Sequence, residues 1–439
     1  MKKRNAFTLI ELLAVIVILA VILVIAIPRI LDVIEESKKD SFKNSAQLIA
    51  DTAEKKKVSD KLLGKDEEIT CKDVAKISDE DYASCIISFD SDGIAKVSIT
   101  GKGKFDGLKI TNGTKENAEV KEITKPTYGM KAVEYISNLY EYDDISNNLK
   151  KDNTPDQNIR YYGANPNNYV SFNNELWRII GVFGNNVKLI RSEKIGNLSW
   201  DSSESSVNDG YGINQWGESK DTSGNIYEGA DLKVYLNKMY YGGTSVTCYN
   251  GYNNTTTTCP TNTLDETAKS SIDNHTWKTG AIQYKTRTDT LAFYSAERGT
   301  IGKMCSSGSY CNDTVTRKTT WTGYVALPYV TDWAYASSES VCETNMQKQD
   351  SSNNYNYICK NNNWMHYGST YNDVTWYLSP FTNPSNANFV WRVNGDGFVR
   401  YDFATYPLSV FPTIYLKSNI LIESGKGTSS DPYILKAGS

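Results

Sequence analysis

The longest apolar run lies at the start of the chain. Phe7 to Ile27 spans 21 residues in which only Thr8 and Glu11 are polar. As a helix rising 1.5 Å per residue it measures about 31 Å, enough to cross a hydrocarbon core. Lys2, Lys3 and Arg4 precede it, a basic segment that should stay on the cytoplasmic side. An ordinary secretory signal has a shorter apolar part and ends in a small-residue cleavage site, and no such site follows Ile27. Beyond Pro28, where a kink or local melting is expected, Ile30, Val33, Ile34, Phe42, Ala46, Ile49 and Ala53 recur at helical spacing. The stripe fades at Lys55-Lys56-Lys57, which suits the negative pole of a helix end.

Period-two patterns follow. Ser84–Phe89 and Ile94–Ile99 alternate around Asp90-Ser91-Asp92-Gly93, predicting a hairpin. Phe105–Ile110 is a candidate third strand, and Met130–Glu141 a short helix. The Asp-Ser-Asp-Gly tetrapeptide lacks the later ligands of an EF-hand and reads as a turn. Further on, Tyr169–Phe172, Glu175–Phe183 and Val187–Ser192 predict an antiparallel meander. Leu232–Tyr241 is a helix candidate. Trp376–Ser379, Phe389–Asn394, Phe398–Tyr401 and Thr413–Leu416 form a closing strand series with a turn at Asp396-Gly397. The class is α+β: a long N-terminal transmembrane helix, a small antiparallel β unit, and a large mixed domain.

Composition divides the chain in the same way. Residues 1–160 carry 25 Lys/Arg and 27 Asp/Glu, and the remaining 279 residues only 46 charges but all nine Trp and 25 of the 30 Tyr. The formal net charge of −4 excludes a nucleic-acid-coating surface. Eight cysteines fall in sequence-local couples, Cys71/Cys85, Cys248/Cys259, Cys305/Cys311 and Cys342/Cys359. No CxxC motif occurs and there are two histidines, which argues for disulfides and export rather than zinc or thioredoxin-type chemistry.

Glu11 decides how the apolar helix is read. A carboxylate within a membrane helix is costly and normally has a partner. Ala6-Phe7-Thr8-Leu9-Ile10-Glu11 resembles the type IV prepilin signature. The resemblance implies that a prepilin peptidase cuts between Ala6 and Phe7, then methylates the new amino group of Phe7. Ala6 stands where the family usually has Gly. In the mature chain Glu11 would be the fifth residue and Pro28 the twenty-second, both in assembly positions. A buried ammonium on Phe7 meeting Glu11 of a neighbouring subunit would set the axial register of a filament more than it would add stability.

Residues 161–437 resemble bacterial surface and phage-associated modules of C-type-lectin-like or formylglycine-generating-enzyme-like fold. The resemblance rests on NELWRIIGVF at 174–183, DWAYAS at 332–337, WYLSP at 376–380, VWRVNGDG at 390–397 and PTIYLKSNI at 412–420. Phe411 occupies the place where the closing motif commonly has Arg. The chain thus divides into a leader (1–6), a helix (7–57), a pilin headpiece (58–125), a linker (126–160) and a C-type-lectin-like binding domain (161–437).

Catalysis finds no obvious residues. His275 and His366 lie in no recognisable motif, and the carboxylates show no pairing in the sequence. Thr382-Asn383-Pro384 is the only trace of a calcium-lectin motif and lacks the Trp-Asn-Asp triplet, so no cofactor is expected and calcium alone is left open. The resemblance implies that residues 381–411 are a variable region, since lectin-like folds of this sort are the usual targets of diversity-generating retroelements. The corresponding candidates for ligand contact are Phe398, Arg400, Tyr401, Asp402, Phe403, Thr405 and Tyr406, beside Leu408 and Ser409. The expectation is a non-enzymatic type IV pilin-like subunit, minor or at the tip. It would start as a single-pass prepilin in the cytoplasmic membrane and then display an adhesive domain for a surface protein or glycan. Its partners would be the prepilin peptidase and other pilins, with no nucleic acid. The alternative is a pseudopilin of a type II secretion or DNA-uptake machine.

Overall fold

The computed structural model describes residues 9–65, 67–75, 78, 80–143, 145–203, 214–220, 226–299, 318–350, 357–368, 372–382 and 387–438. The chain separates into two compact units, Met1–Lys125 with Glu141–Asp143, and Pro126–Tyr140 with Asp144–Ser439.

In the first unit one helix runs from Leu9 to Leu62. It stays helical through Pro28, without the local melting expected as the alternative to a kink, since a proline removes only one backbone donor and the turns on either side keep theirs. It also continues past the lysine triplet. From Phe42 onward one face is apolar, and Phe42, Ala46, Ile49, Ala50 and Ala53 are buried against a sheet contributing Val97, Ile99, Leu108 and Ile110. Small alanines let the helix approach the sheet, and the Phe42 ring meets Phe105 at 5.2 Å.

The sheet is an antiparallel meander in the order Tyr82–Phe89, Ala95–Gly101, Leu108–Gly113, Lys121–Glu122. Its first turn follows the sequence reading. Asp90 Oδ1 accepts the backbone N–H groups of Asp92 and Ile94, each at 3.0 Å, and Gly93 takes φ +81°. The third strand starts later than predicted because Gly103–Phe105 closes a 3-10 turn. A Cys71–Cys85 disulfide ties the start of the headpiece to its first strand. Lys115 reaches Glu54 on the helix at 2.7 Å.

Residues 126–160, expected as a linker, fold largely with the second unit. Tyr135 and Ile136 of the helix Ala132–Asp143 are buried in its core, and Lys131 bridges Leu421. Leu149–Lys151 and Ile159–Tyr161 join its larger sheet. These strands are three residues each, too short for alternation to mark them.

That larger sheet has nine strands. Its path is Val325–Ala326, Thr413–Tyr415, Asn186–Arg191, Glu175–Phe183, Tyr169–Phe172, Tyr433–Ala437, Ile420–Ser424, with Ile159–Tyr161 added to Glu175–Phe183 and Leu149–Lys151 added to Ile159–Tyr161. Glu175–Phe183 is buried on both faces from Trp177 to Val182, as its near-continuous apolar run requires. Asn173 and Asn174 both take φ +56°, the left-handed pair that joins this strand to Tyr169–Phe172. At Gly181 the pairing shifts register, and a Cβ there would lie 2.1 Å from the Ile159 carbonyl oxygen, so only glycine admits the neighbouring strand.

A second sheet of five strands runs Gly196–Leu198, Leu408–Val410, Val374–Pro380, Phe389–Asn394, Val399–Phe403. Seven tryptophans are almost wholly inaccessible, including Trp333, Trp376 and Trp391 from three of the sequence fragments quoted above. Two more disulfides, Cys248–Cys259 and Cys342–Cys359, join the sequence neighbours as expected. Cys305 and Cys311 lie outside the described residues.

The core also holds a charge network. Arg160 Nε lies 2.5 Å from Asp152 Oδ2 and its Nη1 2.8 Å from Asp332 Oδ1. Lys188 Nζ lies 2.5 Å from Asp332 Oδ2. All four side chains are buried, and the Lys188 ammonium sits 4.2 Å from the centroid of the Tyr329 ring. Asp332 also accepts the Tyr329 N–H at 2.9 Å, capping its own helix Val330–Tyr335.

Candidate functional site

Two surfaces are candidates for function. The first is the front of the long helix. Among the described residues from Ile10 to Ile34 the large apolar side chains stand open, from Val15 at 47% exposed to Ile10 at 77%. Within the first unit no described residue covers them, whereas the rear half of the same helix is seated on its own sheet. The uninterrupted apolar run from Leu12 to Ile27 within this front is stable only in lipid or against other apolar helices. By length and composition it can cross a membrane. Glu11 and Pro28 lie within the helix, and Ala6 and Phe7 lie outside the described residues.

Residues 1–27 match the prokaryotic N-terminal methylation motif. It is the type IV prepilin signal, and it supports a type IV pilin-like or pseudopilin protein. The motif implies processing by prepilin peptidase and assembly with other pilins, and proteins that carry it are structural subunits. Together with the apolar helix it fits membrane anchoring followed by assembly. No curated protein and no solved structure matches the chain.

The second surface centres on Val399–Phe403, an edge strand of the five-stranded sheet. Alternation puts Tyr401 and Phe403 on one face and Arg400 and Asp402 on the other. Tyr401 stacks on Phe381 at 3.9 Å and meets Tyr284 at 5.8 Å. Phe403 packs on Phe389 at 4.6 Å and on Tyr406 at 5.7 Å, and Tyr406 meets the exposed Tyr252 at 5.8 Å. Towards the other end, Phe398 stacks on Tyr357 at 5.0 Å, and the Arg287 guanidinium lies 5.2 Å from the Phe398 ring. The sequence candidates Phe398, Tyr401, Phe403 and Tyr406 therefore belong to one half-buried aromatic ridge. Tyr252, Tyr284 and Tyr357 complete it from distant segments that no local pattern connects.

On the opposite face Arg400 is exposed, and Asp402 pairs with Arg392 at 2.9 Å. Thr405 departs from the expectation. It is buried, and its carbonyl accepts the Ser199 hydroxyl at 2.7 Å, so it supports the ridge and is not displayed on it. Asn383 and Pro384 of the calcium-lectin trace lie outside the described residues.

The two histidines have structural settings. His275 stacks on Tyr415 at 3.7 Å with Nδ1 3.1 Å from Asp273, and burial lowers its pKa despite that carboxylate. His366 Nδ1 accepts the Trp333 indole N–H at 3.3 Å, which leaves Nε2 to donate to the Gly395 carbonyl at 3.1 Å. Burial lowers this pKa as well, consistent with a neutral ring. Among the described residues no group of three or more His, Cys, Asp or Glu side chains comes together to hold a metal.

Carboxylates do come together where the sequence showed no pairing. Burial, then repulsion from Asp231, pushes Asp201 up to about 8, while Ser202 donates its N–H (3.0 Å) and hydroxyl (2.6 Å) to Asp231. Burial pushes Glu297 up to about 7 although the Thr331 hydroxyl and Arg298 favour its charged form.

Proposed function

We propose that the chain is a minor or tip subunit of a type IV pilin-like filament, carrying its second unit outward as an extracellular ligand-binding domain. The observation that carries this reading is the change of character along one helix. Its front is uncovered and apolar behind a methylation motif, and its rear is fixed to a headpiece. A subunit processed at Phe7 would present that front to its neighbours, with Glu11 facing a neighbouring ammonium inside the bundle. The aromatic ridge supports an adhesive role, because Tyr and Phe side chains on a rigid sheet give contact area at small entropic cost. The ligand would be a surface protein or glycan.

The test is immunogold labelling of filaments sheared from cells, with an antibody against residues 126–438. Label at filament ends or at sparse points along them is expected. Label confined to the cell envelope, with secretion or DNA uptake lost and adhesion intact on deletion, would replace this reading with a pseudopilin.

A further inference from the structure

The second unit has an open cavity of about 520 Å³ that lies apart from the aromatic ridge. Tyr241 and Tyr324 line it as a parallel stack, ring centroids 4.0 Å apart and planes within 8°. Glu266, Lys269, Asn274 and Lys417 also contribute to its wall. Glu266 holds Lys269 at 2.8 Å, which neutralises one lysine, whereas Lys417 is exposed and makes no side-chain bond among the described residues. The lining therefore offers an apolar ring surface, a carboxamide, an ion pair and a single unmatched cation.

The walls are fixed in place. Asn237 lies in the helical turn that carries Tyr241. Its Oδ1 accepts the N–H groups of Tyr324 (3.3 Å) and Val325 (3.1 Å), and its Nδ2 donates to the Val325 carbonyl at 2.9 Å. The Lys417 N–H donates to the Ser271 carbonyl at 2.9 Å, next to a bridge between Ile272 and Leu416. Burial and the neighbouring Tyr324 push the Tyr241 hydroxyl up to about 12, so it remains a neutral donor at ordinary pH.

From this lining we infer that the cavity binds an acidic saccharide, with the tyrosine stack against the sugar ring and Lys417 on its carboxylate. A sugar ring presents C–H groups to an aromatic wall and hydroxyls to amides and carboxylates. A neutral sugar would leave Lys417 unmatched. A bare phosphate would leave the tyrosines unused.

Full-length protein in detergent micelles, titrated calorimetrically with oligogalacturonate and with hyaluronan oligosaccharide, should bind at least one of them. A neutral galacto-oligosaccharide should bind about tenfold more weakly, a difference of 1.4 kcal/mol. Lys417→Gln, an exposed position, should reduce the acidic ligand to the neutral level, and Tyr324→Ala should weaken both. Failure of both acidic probes to bind, or binding untouched by both substitutions, would overturn the proposal. Neither outcome depends on filament assembly, which the labelling experiment tests separately.

Discussion

The Lys188 ammonium and the Asp332 carboxylate lie 2.5 Å apart with 0% and 1% of their side chains exposed, joining the strand Asn186–Arg191 to the helix Val330–Tyr335. Burial lowers the lysine to about 8 against the pull of Asp332. Asp332 is itself held below the usual carboxylate range, because Lys188 and Arg160 outweigh its burial. Removing the shared anion strands the buried Lys188 and leaves Arg160 with Asp152 alone. Asp332→Ala should destabilise the second unit by roughly 3–5 kcal/mol, and Lys188→Met, which leaves Asp332 paired with Arg160, by less. All nine tryptophans lie in that unit, so the urea midpoint of Trp fluorescence reads the effect.

Glu297 gives a pH dependence of defined sign. Its folded pKa of about 7 lies above its ordinary value of 4.5 because it is buried. Between these values the folded state binds more protons than the unfolded state, so its contribution to stability is full below pH 4.5 and lost as pH rises through 7. Asp201, raised to about 8, acts in the same direction over a wider window. Glu297 and Asp201 should therefore make Trp-monitored stability fall from pH 5 to pH 7.5. His275 and His366 contribute in the opposite direction, since their lowered values favour folding as they lose their protons. Glu297→Gln should flatten that slope, and an unchanged slope would show that Glu297 does not titrate there.

The Cys342–Cys359 bridge closes a loop of 17 residues beside the buried Met346. The double substitution to serine should lower unfolding free energy by about 3 kcal/mol in the chain-entropy treatment. The same fluorescence melt measures it.

In the headpiece, Phe42 is fully buried between the helix and Phe105. Phe42→Ala should cost about 3–5 kcal/mol. With no tryptophan in this unit, the readout is faster amide hydrogen exchange at Val97 and Ile99, which lie under the ring's neighbours in the same core.

Much of this architecture could be read from local sequence. The apolar cylinder, the stripe from Phe42 to Ala53, the turn at Asp90–Gly93, the Asn173-Asn174 hairpin and three cysteine couples are local features, each set by residues near one another in the sequence. The strand order was not legible. Tyr433–Ala437 pairs in parallel with Tyr169–Phe172, and Leu408–Val410 lies in parallel beside Val374–Pro380, partners that no local period identifies. Arg160, Lys188 and Asp332 were equally hidden, because isolated charges read as solvated until the fold brings them together. The same limit applies to the ridge. Tyr401 and Phe403 were visible on one strand, but Tyr252 and Tyr284 reach them only through the tertiary fold.

As a pilin-like subunit the chain would be cut ahead of Phe7 and stacked through its apolar helix. Mass spectrometry of the amino-terminal peptide from envelope and filament fractions tests it most directly. The expected peptide begins at Phe7 with a methylated amino group. A chain in those fractions that still begins with Met1 through Ala6 would contradict it.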